Sequence, residues 1–343
     1  MSEKKRWTVA VVGALGLVGT EMIQTLERRA FPVAELRPLD LESQAGKKVT
    51  FAGRSFEVLP AAPENFAGVD IALFSAGSDA SLALAPEAVK KGAVVIDNSA
   101  AWRMDPKCPL VVPEVNPNDL KAHKGIIANP NCSTIQMVVA LKPLHDAARI
   151  RRIVVSTYQA ASGAGLGGIA DLESQTQAWS RKQPAPEPRA FAYPIAFNVV
   201  PQIDVFQEGG YTKEEYKMVH ETTKIMGDPA IKVTATCVRV PVFTGHSEAV
   251  NIETERKLTS AEARRLLAGS PGITVLDDPK QRQYPMPILV ARQDDVYVGR
   301  IREDNTIANG LNLWIVADNI RKGAALNAVQ IAETMLEMGL LAG

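Results

Sequence analysis

The chain has 343 residues, and this length predicts two domains rather than one. Lysine and arginine together number 38, as do aspartate and glutamate, so no net charge would attract a nucleic acid or an anionic membrane surface. Three widely spaced cysteines argue against a disulfide framework, and no apolar run approaches the length that spans a bilayer. Because residues 1–7 also lack the pattern of a secretion signal, we expect a cytoplasmic globular protein.

The first half of the chain alternates short β-rich runs with helical stretches, a pattern typical of a parallel α/β sheet. The clearest strands are predicted at residues 7–12, 69–74, 93–96 and 125–128. Each predicted strand is followed by small or polar residues, and the carboxyl edge of an open α/β sheet is where ligands bind. These features predict a Rossmann-type dinucleotide-binding domain over residues 1–130.

The second half has a different pattern, in which apolar and polar residues alternate as in strands with one solvated face. Such runs occupy residues 153–158, 232–241, 247–255 and 296–302. They predict an α+β domain with a mixed, largely antiparallel sheet over residues 131–317. Five prolines between residues 183 and 201 exclude a regular element there. A long apolar-faced helix near residues 319–341 is expected to pack back on the first domain, which residues 318–343 would complete.

A glycine loop joins the first predicted strand to the first predicted helix. Gly13 allows a tight turn, Gly16 lets a phosphate approach, and Gly19 permits close helix packing. This arrangement directs free backbone N–H groups and the positive end of a helix dipole at a pyrophosphate. The end of the second strand should distinguish a ribose hydroxyl from a 2′-phosphate, but residues 39–48 contain both acids and lysines.

Cys132 is the candidate nucleophile. It stands in the run Asn-Pro-Asn-Cys-Ser-Thr (129–134), between a strand end and a helix start, where a thiolate is stabilised and backbone N–H groups are available to an oxyanion. Burial as a small apolar residue fits Cys108 and Cys237 better, because neither lies at such a junction. A helix-capped cysteine in a nucleotide-binding fold indicates aldehyde or acyl-phosphate chemistry through a thioester.

Such chemistry needs a proton shuttle, and His246 is the best candidate among the four histidines. It lies in the run Thr-Gly-His-Ser-Glu (244–248), in a predicted turn between two strands, seven residues after Arg239, which is predicted to project from the preceding strand. No histidine pairs with a cysteine or acid at the spacing of metal ligands, so we predict no metal site.

These motifs together resemble the aspartate-semialdehyde dehydrogenase family along nearly the whole chain. They are Gly-Ala-Leu-Gly-Leu-Val-Gly (13–19), Asp-Asn-Ser-Ala-Ala-Trp-Arg-Met (97–104), Asn-Pro-Asn-Cys-Ser-Thr (129–134), Tyr-Gln-Ala-Ala-Ser-Gly-Ala-Gly (158–165), Cys-Val-Arg-Val-Pro-Val (237–242), Gly-His-Ser-Glu (245–248) and Asp-Asn-Ile-Arg-Lys-Gly-Ala-Ala-Leu-Asn (318–327). The resemblance implies NADPH-dependent reduction of L-aspartyl 4-phosphate to L-aspartate 4-semialdehyde, in lysine, threonine and methionine biosynthesis. It also implies at least a homodimer, with the second domain at the interface.

The resemblance assigns roles residue by residue. Cys132 is the implied nucleophile, Gln159 orients the substrate, and His246 moves the proton. The implied substrate contacts are Arg239 for the carboxylate, Glu214 or its neighbour Glu215 for the amino group, Arg103 and Lys217 for the phosphate, and Asn131. The implied cofactor contacts are Gly13, Leu15, Gly16, Leu17, Val18, Glu42, Ser43, Ser162, Gly163 and Asn319.

One departure from the family pattern concerns the cofactor. Where relatives often carry an Arg-Ser pair for the 2′-phosphate, this chain has Glu42-Ser43 and an additional residue before Ala-Gly-Lys. An acid would repel a 2′-phosphate, so NADP is the expected cofactor and NAD remains open.

Three alternatives follow from the same residues. N-acetyl-glutamyl-phosphate reductases use the same covalent chemistry, but their cysteine usually stands in Asn-Pro-Gly-Cys-Tyr. A non-catalytic paralogue is disfavoured because Cys132, Gln159, Arg239 and His246 are all present. A simple dinucleotide-binding regulator would need neither the thiol nor the paired arginines.

Overall fold

The computed structural model describes residues 6–341, and the chain divides into two compact units. Unit 1 comprises Met1–Pro130 and Ala324–Gly343, and unit 2 comprises Asn131–Gly323. Residues 1–5 and 342–343 lie outside the described residues, so most of the segment used to argue against a secretion signal is not described. Within residues 6–341 no helix has both the length and the apolar character needed to cross a membrane.

The strands are β1 (Trp7–Val12), β2 (Val33–Asp40), β3 (Lys48–Phe51), β4 (Arg54–Glu57), β5 (Leu59–Pro60), β6 (Ile71–Phe74), β7 (Val94–Asp97), β8 (Ile126–Ala128), β9 (Ile150–Gln159), β10 (Lys232–Arg239), β11 (His246–Thr254), β12 (Ile273–Val275), β13 (Val296–Asp304) and β14 (Gly310–Ala317). The α-helices are α1 (Leu17–Arg28), α2 (Ser78–Lys90), α3 (Cys132–Ala148), α4 (Gly165–Ser180), α5 (Lys213–Met226), α6 (Ser260–Ala268), α7 (Pro287–Val290) and α8 (Leu326–Glu337).

Unit 1 is built on a parallel sheet in the order β5-β2-β1-β6-β7-β8, which confirms the predicted Rossmann-type architecture. The strands β1 and β6 are apolar on both faces because helices cover both sides of the sheet. Side chains of α1 and α8 share one apolar core with β1, whereas side chains of α2 contribute to a second core with other residues of that strand. The predicted packing of the C-terminal helix on the first domain is therefore observed.

The C-terminal helix begins later than the sequence indicates. Residues 321–325 form a π-helical turn, and α8 begins only at Leu326, after which the chain packs in unit 1. The chain leaves unit 2 at Gly323 rather than at residue 317, because the intervening side chains are bonded within unit 2. The Asp318 carboxylate accepts the backbone N–H of Arg292, and Asn319 bonds to Ser162 and Gly245.

Unit 2 contains the predicted mixed sheet, and its strands are in the order β10-β9-β11-β14-β13-β12. Helices α3 and α5 pack on one of its faces, and alternating residues of four strands form rows across that face. From one end of the sheet the rows are Ala317, His246, Gln159 and Arg239; Ile315, Glu248, Thr157 and Cys237; Leu313, Val250, Val155 and Ala235; and Leu311, Ile252, Ile153 and Val233. The first two rows are largely polar, and the last two are an ordinary apolar core.

The proline-rich segment is held by two polar side chains of α4, and it contains no helix or strand, as predicted. Asp171 accepts the backbone N–H groups of Arg189 and Ala190, each at 2.8 Å. Gln175 accepts those of Ile195 at 2.8 Å and Ala196 at 3.0 Å. These buried side chains satisfy backbone donors that an irregular segment would otherwise leave unbonded.

Candidate active site

Cys132 is the first residue of α3, as the sequence predicts. The preceding residue, Asn131, caps the helix, because its side-chain oxygen accepts the N–H groups of Ser133 at 3.1 Å and Thr134 at 3.2 Å. Cys132 is partly exposed, whereas Cys108 and Cys237 are buried. The position at a helix N-terminus favours the thiolate form of Cys132 over the thiol.

The first row of the unit 2 sheet brings together three of the predicted residues. Arg239 pairs with Gln159 across the β10–β9 ladder, and His246 is the first residue of β11, beside Gln159. The Arg239 guanidinium donates to the Ala160 carbonyl oxygen at 2.8 Å and lies over the ring of Phe191. His246 lies at a strand start rather than in the predicted turn, because the β11 ladder extends by one residue to Ala317.

Glu214 connects this row to the start of α3. Its Oε1 atom accepts hydrogen bonds from the side-chain amides of Asn131 at 2.8 Å and Gln159 at 3.2 Å, and its Oε2 atom pairs with Lys217 at 3.0 Å. Lys217 also pairs with Asp204. Burial opposes the ionisation of Glu214, but Lys217 and the two amides outweigh it and lower the pKa of Glu214 to about 2. The site therefore holds a buried carboxylate that is ionised at neutral pH.

The structure distinguishes Glu214 from Glu215, which the sequence could not. Glu215 forms a capping box with Thr212 at the start of α5, and its other oxygen accepts the N–H of Cys237 at 3.0 Å. Glu215 is thus fully used in holding α5 on the sheet, and Glu214 is the carboxylate that meets Asn131 and Gln159.

His246 is held in one neutral form. The ring nitrogen Nδ1 accepts the N–H of Ala160 at 3.0 Å, so the proton of the neutral ring resides on Nε2. Burial, followed by the positive charge of Arg239, lowers the pKa of His246 to about 3. The Nε2 atom is buried and has no hydrogen-bond partner among residues 6–341. His246 therefore presents an unused N–H donor.

Two further predicted groups lie around this row in unit 2. Ser162 and Asn319 are hydrogen bonded to each other at 3.0 Å, and Asn319 also accepts the N–H of Gly245 at 2.8 Å. A Cβ atom on Gly163 would collide with the Arg239 guanidinium and would lie 3.2 Å from His246 Cε1. The backbone of Gly163 can approach these two side chains only because it carries no side chain.

The glycine loop lies in unit 1 at the carboxyl ends of β1 and β6. Gly13 has a φ of 81°, and a Cβ there would collide with the backbone of Ser75, which follows β6. Gly16 is the N-cap of α1, and no described side chain caps that helix. The first N–H groups of α1, which belong to Leu17, Val18 and Gly19, thus remain available for an anion, in agreement with a pyrophosphate site.

The end of β2 contains Asp40, one of the acids of residues 39–48, which the sequence does not single out. The half-buried Asp40 accepts the N–H of Leu15 in the glycine loop at 2.9 Å and that of Leu41 at 2.8 Å. Glu42 and Ser43 follow in an exposed 3₁₀ turn. The position of Asp40, directly at the strand end, is the signal that could have identified it.

Arg103 belongs to unit 1, where it is buried. Its guanidinium donates to the backbone oxygens of Asn129 at 3.0 Å and Asn98 at 2.7 Å, and Asp97 lies nearby. Burial raises the pKa of Asp97, which Ser99 opposes by donating to its carboxylate at 2.6 Å. The structure therefore fixes the local setting of Arg103, while its predicted contact with phosphate stays a prediction. No group of three or more His, Cys, Asp or Glu residues within residues 6–341 has the arrangement of a metal site.

Comparison with known proteins accounts for this arrangement. Residues 8–123 match the family model described as semialdehyde dehydrogenase, NAD binding domain, and residues 141–322 match that described as semialdehyde dehydrogenase, dimerisation domain. Aspartate-semialdehyde dehydrogenase of Aquifex aeolicus is 57% identical over 338 residues, which cover 98% of this chain and 99% of the relative. The chain belongs to the aspartate-semialdehyde dehydrogenase family. The corresponding protein of Bacillus subtilis is 54% identical, with 97% of this chain and 98% of that protein covered.

Solved structures agree with this assignment. Aspartate semialdehyde dehydrogenase II from Vibrio cholerae, crystallised in complex with ASA, has a TM-score of 0.95 and 48% identity, with 97% of this chain and 99% of that chain covered. The enzyme from Candida albicans, solved with NADP, has a TM-score of 0.75 and 26% identity, with 97% and 99% covered. The predicted family, the two-domain α/β architecture and the oxidoreductase class are confirmed.

Proposed function

We propose that this chain reduces L-aspartyl 4-phosphate to L-aspartate 4-semialdehyde, an intermediate of amino-acid biosynthesis, through a thioester on Cys132. The observation that carries the proposal is the shared Glu214 carboxylate. Asn131, which caps the helix of Cys132, and Gln159 in the first sheet row both donate to one oxygen of Glu214. This connection couples the nucleophile to the row that contains Arg239 and His246.

The chain's own residues perform the covalent steps. The Cys132 thiolate attacks the acyl carbon, and the bond from that carbon to the phosphate oxygen breaks. Phosphate departs, and the acyl group remains on Cys132 as a thioester. When bound, NADPH supplies the hydride that reduces the thioester to a thiohemiacetal. Collapse of the thiohemiacetal breaks the carbon–sulfur bond and returns the thiolate. The backbone N–H groups of the glycine loop and the start of α1 fit the pyrophosphate of this cofactor.

His246 acts in this scheme as a hydrogen-bond donor. Because Nδ1 accepts a backbone N–H, the neutral ring offers its Nε2–H to the oxygen on which negative charge develops. Arg239 disfavours a protonated ring, and it binds the substrate carboxylate with its planar fork. The sequence assigns His246 to proton movement; the geometry favours stabilisation of the oxyanion.

The Glu214 carboxylate favours an aspartyl substrate over an N-acetyl-glutamyl one. A buried, ionised carboxylate stabilises a free ammonium group and offers nothing comparable to a neutral acetamide. Assays of the two acyl phosphates separate the two activities: turnover of the N-acetylated substrate alone would contradict the proposal.

A homodimer is the proposed assembly. Unit 2 carries exposed large apolar residues, which are Trp179, Tyr193, Phe197, Val199, Val205 and Phe206. Exposed apolar side chains in such number are typical of a surface that another protein covers. Light scattering of the purified protein tests the assembly, and a monomer at micromolar concentration would contradict it.

The decisive experiment is phosphate-dependent reduction of NADP with the semialdehyde. Wild type should show activity that requires phosphate, and Cys132→Ala should lose it by at least ~10⁴-fold, because the covalent route disappears. Cys108→Ala, which removes a buried thiol of unit 1, is the matched control and should retain activity. Activity that persists in Cys132→Ala would overturn the nucleophile assignment, and an inactive wild type would support a non-catalytic paralogue.

A further inference from the structure

Glu248 is a fully buried acid that the mechanism above does not use. It lies on β11, two residues after His246, and therefore faces the same side of the sheet. Neither of its carboxyl oxygens has a hydrogen-bond partner of normal geometry among residues 6–341. Buried carboxyl groups are expensive unless they are bonded or neutral, so this one requires an explanation.

The surroundings of Glu248 contain no cation directly beside it in the sheet. In its own row it lies between Thr157 and Ile315, both of which are uncharged. The buried titratable groups on the elements that pack around this face are His246 on β11, Arg239 and Cys237 on β10, and Glu214, Glu215 and Glu221 on α5. Cys132 on α3 and Lys217 on α5, which pairs with Glu214, are partly exposed. In the four rows described above, strands β9 and β14 present only uncharged side chains on this face.

Gln136 of α3 connects Glu248 to His246. Its side-chain N–H donates to the backbone carbonyl oxygen of His246 at 3.3 Å, and its side-chain oxygen is buried without a partner among the described residues. The same side chain lies close enough to Glu248 to act on its ionisation. An acceptor without a donor and a carboxyl group without a partner therefore lie next to each other.

We propose that Glu248 and Gln136 form a buried positioning pair for His246. In this pair the neutral carboxylic acid donates its proton to the Gln136 amide oxygen, while the Gln136 N–H holds the His246 carbonyl. The proposal rests on the proposed function, in which His246 directs its Nε2–H at the substrate oxygen. Glu248 touches neither substrate nor cofactor in this scheme, so it is a positioning residue.

The ionisation of Glu248 agrees with this arrangement. Burial raises the pKa of its carboxyl group well above the usual value near 4.5 and outweighs the lowering that a hydrogen bond from Gln136 to the ionised form would give, so the acid is neutral and has a proton to donate. The folded state therefore keeps a proton that the unfolded chain loses above pH 4.5, so this group lowers stability as pH rises from 4.5 to the raised pKa. Replacement by glutamine, which is neutral at every pH, removes this loss.

Three variants test the pair by kinetics. Glu248→Gln keeps one donor and one acceptor and should keep kcat within about twofold of wild type. Glu248→Leu and Gln136→Leu each remove the pair and should lower kcat by about tenfold with KM unchanged, a fraction of the ~10²–10⁴-fold that a positioned proton donor contributes. The double leucine variant should be no slower than either single one, because both changes break the same unit.

Thermal unfolding provides a readout that does not depend on activity. Relative to wild type, Glu248→Gln should raise Tm at pH 8, and the difference should shrink towards pH 4.5. Asp277→Asn is the matched control, because Asp277 also has a buried carboxylate but pairs with Arg264 near the opposite edge of the sheet. It should lower Tm without changing kcat.

The outcomes separate the two proposals. If Glu248→Gln is as slow as Glu248→Leu, or if Gln136→Leu keeps full kcat, the positioning pair is wrong. Equal Tm shifts at pH 8 and pH 4.5 would show that Glu248 is not held neutral and would overturn it too. If Glu248→Leu does not fold, the other two single variants still decide. An inactive wild type would refute the proposed function alone, because the Tm series would still report on Glu248.

Discussion

Gly323 controls the position of Cys132, and replacing it by alanine tests how closely the two are packed. Gly323 lies in the π-helical turn that precedes α8. A Cβ atom there would lie 2.8 Å from the Cβ of Cys132 and 3.3 Å from its Cα. Ordinary carbon–carbon contacts are ~3.5–4.0 Å, so the turn or the start of α3 must shift by about 1 Å.

The expected cost follows from that displacement. A shift of ~1 Å in a reacting group can lower the rate by ~10²-fold, which corresponds to about 2.7 kcal/mol in the activation free energy. Overpacking should also lower the free energy of unfolding by ~1–3 kcal/mol. Steady-state oxidation of the semialdehyde measures kcat, and the rate of alkylation of Cys132 by iodoacetamide reports on the thiol without turnover.

Gly269→Ala provides the matched control. At that position an added Cβ would meet only the carbonyl oxygens of Arg265 at 3.6 Å and Leu266 at 3.8 Å, which are ordinary contacts. This variant should keep both rates. If Gly323→Ala folds and keeps kcat and the alkylation rate within about threefold of wild type, the packing argument for Cys132 is refuted.

Three further predictions concern charge. Glu214→Gln should raise KM for the semialdehyde by at least ~30-fold, since removing one partner of a buried charge pair costs ~2–5 kcal/mol, whereas Glu215→Gln should lower Tm and leave KM unchanged. The pKa of His246 falls from 6.5 to about 3 on folding, so the free energy of unfolding should decline by up to ~1.4 kcal/mol per pH unit as pH decreases from 6.5 towards 3. In acid denaturation His246→Asn should flatten this slope, and replacing the exposed His220 should not. Glu42→Arg should raise the ratio of kcat/KM with NADP to kcat/KM with NAD by at least ~10-fold, because a charge-assisted bond to the 2′-phosphate replaces repulsion. An unchanged ratio would exclude Glu42 as a determinant of cofactor choice.

The fold was predictable where pattern and position agree. Alternation along β9, β10 and β11 predicted strands in unit 2, and the glycine loop located the first turn of unit 1. Strand β14 was not predicted, because its last three residues are all buried and the alternation disappears there. Helix α5 was also missed, although Thr212 and Glu215 have the spacing of a capping box.

The candidate site was predictable only as far as each residue carries its own local context. Cys132 has such a context, since a thiol between a strand end and a helix start is recognisable in one dimension. Glu214 does not, because adjacent acids differ only in which face of α5 they occupy, and that depends on how the helix lies on the sheet. Glu248 and Gln136 have no such local context, because they lie on β11 and α3 and come together only when the strand and the helix pack in the folded chain.

The division of the unit 2 sheet into polar and apolar rows should give its two ends different local stabilities. Leu311, Ile252 and Ile153 form the apolar end, where backbone amides should exchange with solvent only when the whole unit opens. The end that carries Gln159, Arg239 and His246 buries less apolar area and ends in loops, so its amides should exchange through smaller openings. The protection of backbone amides from hydrogen exchange should therefore decrease along each strand towards the polar end. The reactive groups lie at the end of the sheet that opens most readily.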